Sequence, residues 1–142
     1  MTELFVDTNI VLRLLTNEPR DLADRAVALL NEADVRRLKV VLTSVTLAEA
    51  VYVLESVYAR ARGHVAGELI DVIASDIFVV PERAILIQAL LWYRDIARLD
   101  FADAYVASVA HTRTDAAVLS FDRGMRRISG IRMIDRPEEL AR

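Results

Sequence analysis

The 142-residue sequence has no cysteine, two histidines and four glycines, and these shortages exclude several classes of protein. Without cysteine the chain can form neither disulfides nor thiolate metal sites, which fits a reducing cytoplasm. No apolar run approaches the ~18 residues that span a bilayer. The acidic start Met1-Thr2-Glu3 lacks the basic residues of a secretory signal. We therefore expect a soluble cytoplasmic protein without a membrane anchor.

Lysine is almost absent as well: the chain has one lysine, Lys39, and 17 arginines. Guanidinium groups suit bidentate phosphate contacts, although the base composition of the source genome explains a preference for arginine equally well. The net charge of −3 argues against non-specific coating of nucleic acid. The apolar share of 54% favours a chain with apolar surface left for a partner, and so an oligomer.

Short apolar runs alternate along the chain with segments of helical periodicity. The runs that predict strands lie at residues 4–6, 39–43, 77–80, 116–119 and, more weakly, 131–134. The predicted helices cover residues 8–17, a segment starting near Pro19, and residues 46–60, 64–75, 83–97, 101–112 and 123–127. Gly63 is expected to end the helix that starts at Thr46. This order predicts one α/β domain over residues 1–142, with a mostly parallel central sheet of four to five strands and helices on both faces.

Acidic residues recur where a predicted strand ends or a following helix begins. They are Asp7, Glu49, Asp100, Asp103 and Asp122. In a parallel sheet these positions share the edge at which ligands bind. Each acid also has a plain structural interpretation. Residues 46–49 fit a capping box, Asp100 fits an N-cap with Asp103 in the first turn, and Asp7 and Asp122 could each cap the helix that follows.

A cluster of these acids would favour a divalent cation. Carboxylates about 6 Å apart repel by roughly 3 kcal/mol per pair at an effective dielectric near 20, and a helix N-terminus offsets only about 0.3–1 kcal/mol. Oxygen ligands without cysteine or histidine select Mg²⁺ or Mn²⁺, the ions that drive attack of water on a phosphodiester. The arginines nearest these acids are candidates for binding a phosphodiester backbone, and they are Arg13, Arg123, Arg126 and Arg127.

At these residues the chain resembles the PIN domain, specifically the VapC-type toxin ribonucleases. The matching segments are Asp7-Thr8-Asn9, Thr46-x-x-Glu49-Ala50, Asp103-Ala104 and Ser120-Phe121-Asp122-Arg123. Each segment is a weak signal alone, but four in the correct order are a strong one.

The resemblance implies metal ligation by Asp7, Glu49, Asp103 and Asp122, with Mg²⁺ or Mn²⁺ as the cofactor. It implies that Thr8, Asn9 and Ser120 hold ligands or waters. Asp100 is not a fixed position of the family; three residues before Asp103 it could approach the same metal, but a helix cap is the preferred interpretation. It further implies endoribonuclease activity by metal-activated water that leaves 5′-phosphate and 3′-hydroxyl ends. The implied partners are a second copy of the chain, in a homodimer, and a VapB-type antitoxin that inhibits the enzyme.

Other classes fit the sequence less well. A receiver-type Mg²⁺-binding signalling domain requires adjacent acids after the first strand and a late lysine, and Lys39 is the only lysine. A haloacid-dehalogenase-like phosphatase would have an acid at the position of Asn9. No nucleophile-elbow sequence supports a serine hydrolase. A PIN scaffold that only binds RNA or protein stays open, although all four acids are present.

Overall fold

A computed structural model describes residues 2–141, except for the side chain at position 141. Over these residues the chain forms four short strands, six α-helices and two short 3₁₀ helices. The strands are β1 (Glu3–Phe5), β2 (Lys39–Val41), β3 (Ala117–Leu119) and β4 (Arg132–Ile134). The helices are α1 (Thr8–Thr16), α2 (Arg20–Val35), α3 (Ser44–Ser56), α4 (Arg62–Ala74), α5 (Arg83–Asp95) and α6 (Phe101–His111). The 3₁₀ helices are Arg123–Arg127 and Pro137–Ala141. The chain divides into two compact units, with the boundary between Arg83 and Ala84.

The first unit is built on the parallel pair β1–β2, in which Leu4 lies opposite Val40. Of the predicted strand at residues 77–80, only Val79 pairs, through a parallel bridge to Val41. Two backbone hydrogen bonds carry this bridge, from Leu42 N to Val79 O at 2.9 Å and from Val79 N to Val40 O at 2.8 Å. β1 was expected to be buried on both faces, but its Phe5 side chain is 67% exposed. Parallel pairing is confirmed here, and full burial of β1 is not.

The start of α3 differs from the predicted capping box. The N-cap is Thr43, whose side chain accepts a hydrogen bond from the backbone N–H of Thr46 at 3.3 Å. The predicted box with Thr46 as cap is therefore wrong, and Glu49 lies more than one turn inside the helix. Gly63 was expected to end this helix, but it lies within α4, which begins at Arg62. Capping therefore does not explain why an acid stands at position 49.

Both units have closely packed apolar interiors. In the first unit, fully buried side chains include Leu47 and Leu54 of α3 and Leu69 of α4. Burial of each stabilises the fold by about 1.5–3 kcal/mol. In the second unit, β3 and β4 form a parallel pair with Val118 opposite Met133. Each hydrogen-bonded sheet within residues 2–141 has two strands, not four or five.

The ring of Tyr93 packs edge-on against Phe101 in the second unit, with 6.2 Å between their centroids. This contact joins the end of α5 to the start of α6. It therefore fixes the point from which the acids of α6 project. No helix within residues 2–141 is long and apolar enough to cross a membrane.

Candidate active site

Asp7 occupies the N-cap position of α1 and is separated from the end of β1 by Val6 alone. Its backbone carbonyl accepts from Ile10 N at 3.1 Å, as a cap should. Its side chain, however, makes no capping hydrogen bond within the described part of the chain. The exposed carboxylate instead accepts from the Asn9 side chain at 3.4 Å. Capping therefore leaves the charge of Asp7 available for another role.

The start of α3 is tied to the same end of β1. The Thr46 hydroxyl approaches the backbone carbonyl of Val6 at 3.5 Å, the limit of a hydrogen bond. Glu49 lies one turn further along α3 and is exposed. Thr8, the residue after Asp7, is buried with 4% of its surface exposed. The first unit thus places Asp7 and the first turn of the helix that carries Glu49 at the carboxyl end of β1.

The second unit brings the side chains of Asp103 and Asp122 close enough together to affect each other's titration. The pKa of Asp103 is raised from 3.8 to about 6, chiefly by burial and then by a hydrogen bond with Asp122. The negative charges of Asp122 and Asp100 add to the effect. A carboxyl pair of this kind holds a proton or a cation in place of one of its two charges. Asp100 sits at the N-cap of α6 but, within residues 2–141, makes no capping hydrogen bond with its side chain.

Asp122 is held in place by its own turn. Its Oδ1 atom accepts from Gly124 N at 2.8 Å, so it caps the 3₁₀ helix Arg123–Arg127. Its backbone N–H donates to the Ser120 hydroxyl at 2.9 Å. Glycine suits this position, since a Cβ at residue 124 would lie 3.0 Å from Asp122 Oδ1 and would require the carboxylate to shift. Ser120 thus orients the acid from one side and Gly124 from the other.

The structure does not contain a ready-made metal site. Nowhere in residues 2–141 do three or more Asp, Glu or His side chains have the spacing of a metal-binding group. In the second unit, Asp103 and Asp122 lie close together, with Asp100 near enough to affect Asp103 by its charge. In the first unit, Asp7 and the start of α3 both lie at the end of β1. The expectation that four acids share one cation stays a prediction.

The four candidate arginines have different surroundings. Arg13 donates to the Tyr58 hydroxyl at 3.3 Å, and Arg127 donates to the backbone carbonyl of Ala97 at 2.6 Å. Arg126 forms an ion pair with Asp135 at 2.9 Å. Arg123 has neither a hydrogen bond nor an ion pair within the described residues. Arg123 is therefore the candidate whose charge is most available to a ligand.

Two features of the second unit were not predicted from the sequence. Arg126, Glu139 and Arg136 hydrogen-bond to Asp135 and hold its pKa at about 2. The side chain of Phe121 is 90% exposed, although it stands between two residues of an ordered turn. The available signal was an aromatic residue between Ser120 and Asp122, where a turn predicts small polar residues.

Comparison with known proteins gives one match. The family model described as "PIN domain" matches residues 4–131, a range that includes most of both units. No significant match was found among curated proteins or among solved structures.

Proposed function

The chain belongs to the PIN domain family, and we propose that it is a divalent-metal-dependent endoribonuclease of the VapC toxin type. PIN domains are typically metal-dependent nucleases, which supports the nuclease class. The toxin assignment is the finer part of the proposal, and it is supported by the four sequence segments that resemble VapC-type proteins.

The observation that carries the proposal is the contact between Asp103 and Asp122. Burial and the neighbouring Asp122 raise the pKa of Asp103 to about 6, so at neutral pH both carboxylates are mostly charged and their repulsion destabilises the metal-free protein. A purely structural role would not require this contact, because Asp122 already caps its helix through Gly124. A bound dication would convert the repulsion into ligation.

The donor set fits Mg²⁺ or Mn²⁺. Asp7, Glu49, Asp103 and Asp122 would hold the ion through carboxylate oxygens, which are the hard ligands that these cations prefer. The two histidines have other contacts, since His64 lies 3.2 Å from Glu68 and His111 packs edge-on against Trp92. When bound, the ion supplies positive charge to the scissile phosphate and lowers the pKa of the attacking water.

The chain's own residues prepare this site. The hydroxyl of Ser120 and the N–H of Gly124 fix the orientation of Asp122, and the Asn9 amide restrains Asp7. Because the Asp103–Asp122 pair holds a proton more tightly than an isolated aspartate, metal binding requires release of that proton. Activity should therefore fall as the pH drops through about 6.

The proposed setting is the cytoplasm, which is consistent with the lack of cysteine. We expect the protein to be a homodimer restrained by a VapB-type antitoxin. Apolar side chains that lack cover support a protein partner, and on α3 these include Val45, 77% exposed, and Tyr52, 68% exposed. Induced expression in a bacterium should arrest growth, and co-expression of the antitoxin should restore it.

The direct test is cleavage of RNA by the purified protein. Cleavage should require Mg²⁺ or Mn²⁺, and Asp7→Asn should abolish it while the melting temperature is retained. Asp71→Asn, which removes an acid from the exposed face of α4, is the matched control and should cleave normally. Undiminished cleavage in excess chelator would refute the metal requirement.

A non-catalytic PIN scaffold that binds RNA or protein is the second candidate. The lack of a three-acid metal group within residues 2–141 favours it. Under this alternative the protein binds RNA with the same affinity in Mg²⁺ and in chelator, and no RNA is cut. The same purified protein and the same Asp7→Asn variant therefore decide between the two functions.

A further inference from the structure

An exposed phenylalanine directly precedes one of the candidate metal ligands. Phe121 is 90% exposed, in the turn that follows β3. The turn itself is ordered, because the hydrogen bonds from Asp122 N to Ser120 Oγ and from Gly124 N to Asp122 Oδ1 hold the backbone after the ring. The ring is therefore presented from a fixed backbone, and the described residues of its own unit leave it almost uncovered.

The ring borders a shallow apolar hollow of about 300 Å³. The apolar lining also includes Leu119 and Ile134, the last residues of β3 and β4, and Pro137 and Leu140. Leu119 is 74% exposed and Leu140 is 64% exposed. Leaving several large apolar side chains uncovered costs about 1.5–3 kcal/mol for each one that could be buried. A contiguous patch of this kind is typical of a ligand surface.

Charged side chains of both signs stand beside this hollow. Arg136 and Asp135 line it, and the adjoining cavity of about 980 Å³ is lined by Arg123, Arg126 and Arg136 together with Asp135, Glu138 and Glu139. Arg136 contacts Asp135 at 3.3 Å, but its side chain is 68% exposed. An exposed pair of this type contributes only about 0–1 kcal/mol, so Arg136 can turn to another anion. Asp135 also keeps its shorter ion pair with Arg126, so it does not lose all its partners when Arg136 moves.

We propose that Phe121 is a stacking platform for one base of single-stranded RNA, with the Arg123 and Arg136 side chains binding the neighbouring phosphates. This inference rests on the proposed ribonuclease function and names how that site holds its substrate. An aromatic face combined with guanidinium groups is the pairing that proteins use for single strands, since every base has a π-face and every linkage has a charge. A protein segment would use the hollow but would leave the free Arg123 charge without a specific partner.

Single-stranded RNA is favoured over a duplex for a geometric reason. A base must leave its helix before its face can meet an aromatic ring, and this is readily achieved only in loops and unpaired ends. Because stacking reads no base edges, Phe121 should contribute affinity with little sequence preference. Any sequence specificity must therefore come from other groups.

The test measures binding separately from cleavage. A short single-stranded RNA carrying 2-aminopurine, whose fluorescence is quenched by stacking, is titrated with the protein in the inactive Asp7→Asn background. Phe121→Ala and Phe121→Leu should weaken binding by about 5- to 150-fold and abolish the quenching. Phe121→Trp should restore both, because it restores an aromatic face. Val35→Ala is the control, since Val35 is 75% exposed at the end of α2.

In the cleaving protein the same substitutions at Phe121 should raise KM by the same factor and leave kcat within about threefold, as expected when binding alone is lost. The melting temperature should not change, since the ring is exposed. Arg123→Ala should lower the slope of log affinity against log salt by about 0.7, the value for one phosphate contact on a single strand.

Failure of this inference can be told apart from failure of the proposed function. If the wild-type protein cuts RNA and Phe121→Ala binds and cuts equally well, the stacking role is refuted and the nuclease stands. If Phe121→Leu matches the wild type, the ring acts only as apolar surface and the inference is wrong. If Phe121→Ala changes only the sedimentation mass, the hollow is an interface between copies of the chain. If quenching occurs without cleavage, the nuclease proposal fails and the stacking site stands.

Discussion

Replacing Asp103 with asparagine should make the metal-free protein more stable, because the change removes one charge from the Asp103–Asp122 pair. Burial, the hydrogen bond with Asp122 and the charges of Asp122 and Asp100 raise the pKa of Asp103 from 3.8 to about 6. The folded protein at pH 8 therefore carries this charge at a cost in free energy. An amide at position 103 can still donate a hydrogen bond to the carboxylate of Asp122.

The magnitude follows from the displacement of the pKa. Each unit by which folding raises the pKa corresponds to about 1.4 kcal/mol in the free energy of unfolding. Because Asp103 is only half-buried, solvent screening reduces the gain to roughly 1–2 kcal/mol at pH 8. For a chain of this length the expected rise in Tm is about 3–6 °C.

The pH dependence of this gain has a definite sign. A raised pKa means that the folded state binds the proton more tightly than the unfolded state does. The destabilisation by Asp103 is therefore absent below about pH 4, develops between about pH 4 and pH 6, and is complete above that range. The advantage of Asp103→Asn should follow the same curve.

Urea unfolding in chelator, from pH 4 to pH 8, measures this effect. Asp71→Asn on α4 is the control for loss of an ordinary surface acid, and its free energy of unfolding should change by no more than about 0.5 kcal/mol. An Asp103→Asn protein no more stable than the wild type at pH 8 would refute the reasoning. An advantage that persists undiminished at pH 4 would refute it equally, since the repulsion should then be absent.

Three further predictions concern the turn after β3, the acid after β4 and the metal. Gly124→Ala should slow cleavage, because its Cβ would press on Asp122 Oδ1 at 3.0 Å. Gly67→Ala is the control: its Cβ meets nothing within 4 Å, so cleavage should stay intact and the free energy of unfolding should rise by ~0.5–1 kcal/mol. Arg126→Ala should raise the pKa of Asp135 from about 2 towards its ordinary value. The substitution should thereby reduce a stabilisation of the fold that is present above about pH 4 and lost towards pH 2. An NMR titration that finds the pKa of Asp135 unchanged would contradict this prediction. Mg²⁺ at 100 times its Kd should add about 2.7 kcal/mol to unfolding, and a calorimetric scan without any shift would contradict that.

The sequence was sufficient to predict the order of helices and the parallel pairing of strands, but not the extent of the sheets. The run Ile77-Phe78-Val79-Val80 looks like a buried strand, yet only Val79 pairs. Periodicity records that a segment is apolar, whereas pairing depends on the neighbouring backbone, which a single sequence does not contain. The helix boundaries at Thr46 and Gly63 were wrong for a similar reason, since helix packing outweighs the cost of about 1 kcal/mol for a helical glycine.

The candidate site was predictable to the extent that position along an element determines position in space. Asp103 and Asp122 are 19 positions apart in the sequence, and the reasoning from strand ends predicted that both lie on one rim of the sheet. The influence of Asp122 on the pKa of Asp103 supports only that the two side chains lie close together. The exposure of Phe121 was not predicted, and the one available signal was its place in a turn, where small polar residues are typical. The free charge of Arg123 among its paired neighbours was equally hidden, since ion pairing depends on side-chain positions.

Capping and metal binding are not competing explanations of the acids in this chain. Asp122 caps a 3₁₀ helix and also contacts Asp103, which is possible because a carboxylate has about four acceptor positions and the cap uses one. The cap fixes the direction of the remaining lone pairs, and so reduces the entropy that a cation must otherwise overcome on binding. Asp7 shows the complementary case, because it occupies a cap position while its side chain accepts only from Asn9 among the described residues. The structural role of Asp122 thus strengthens the case for its function, since a ligand that is already oriented binds an ion at a lower cost.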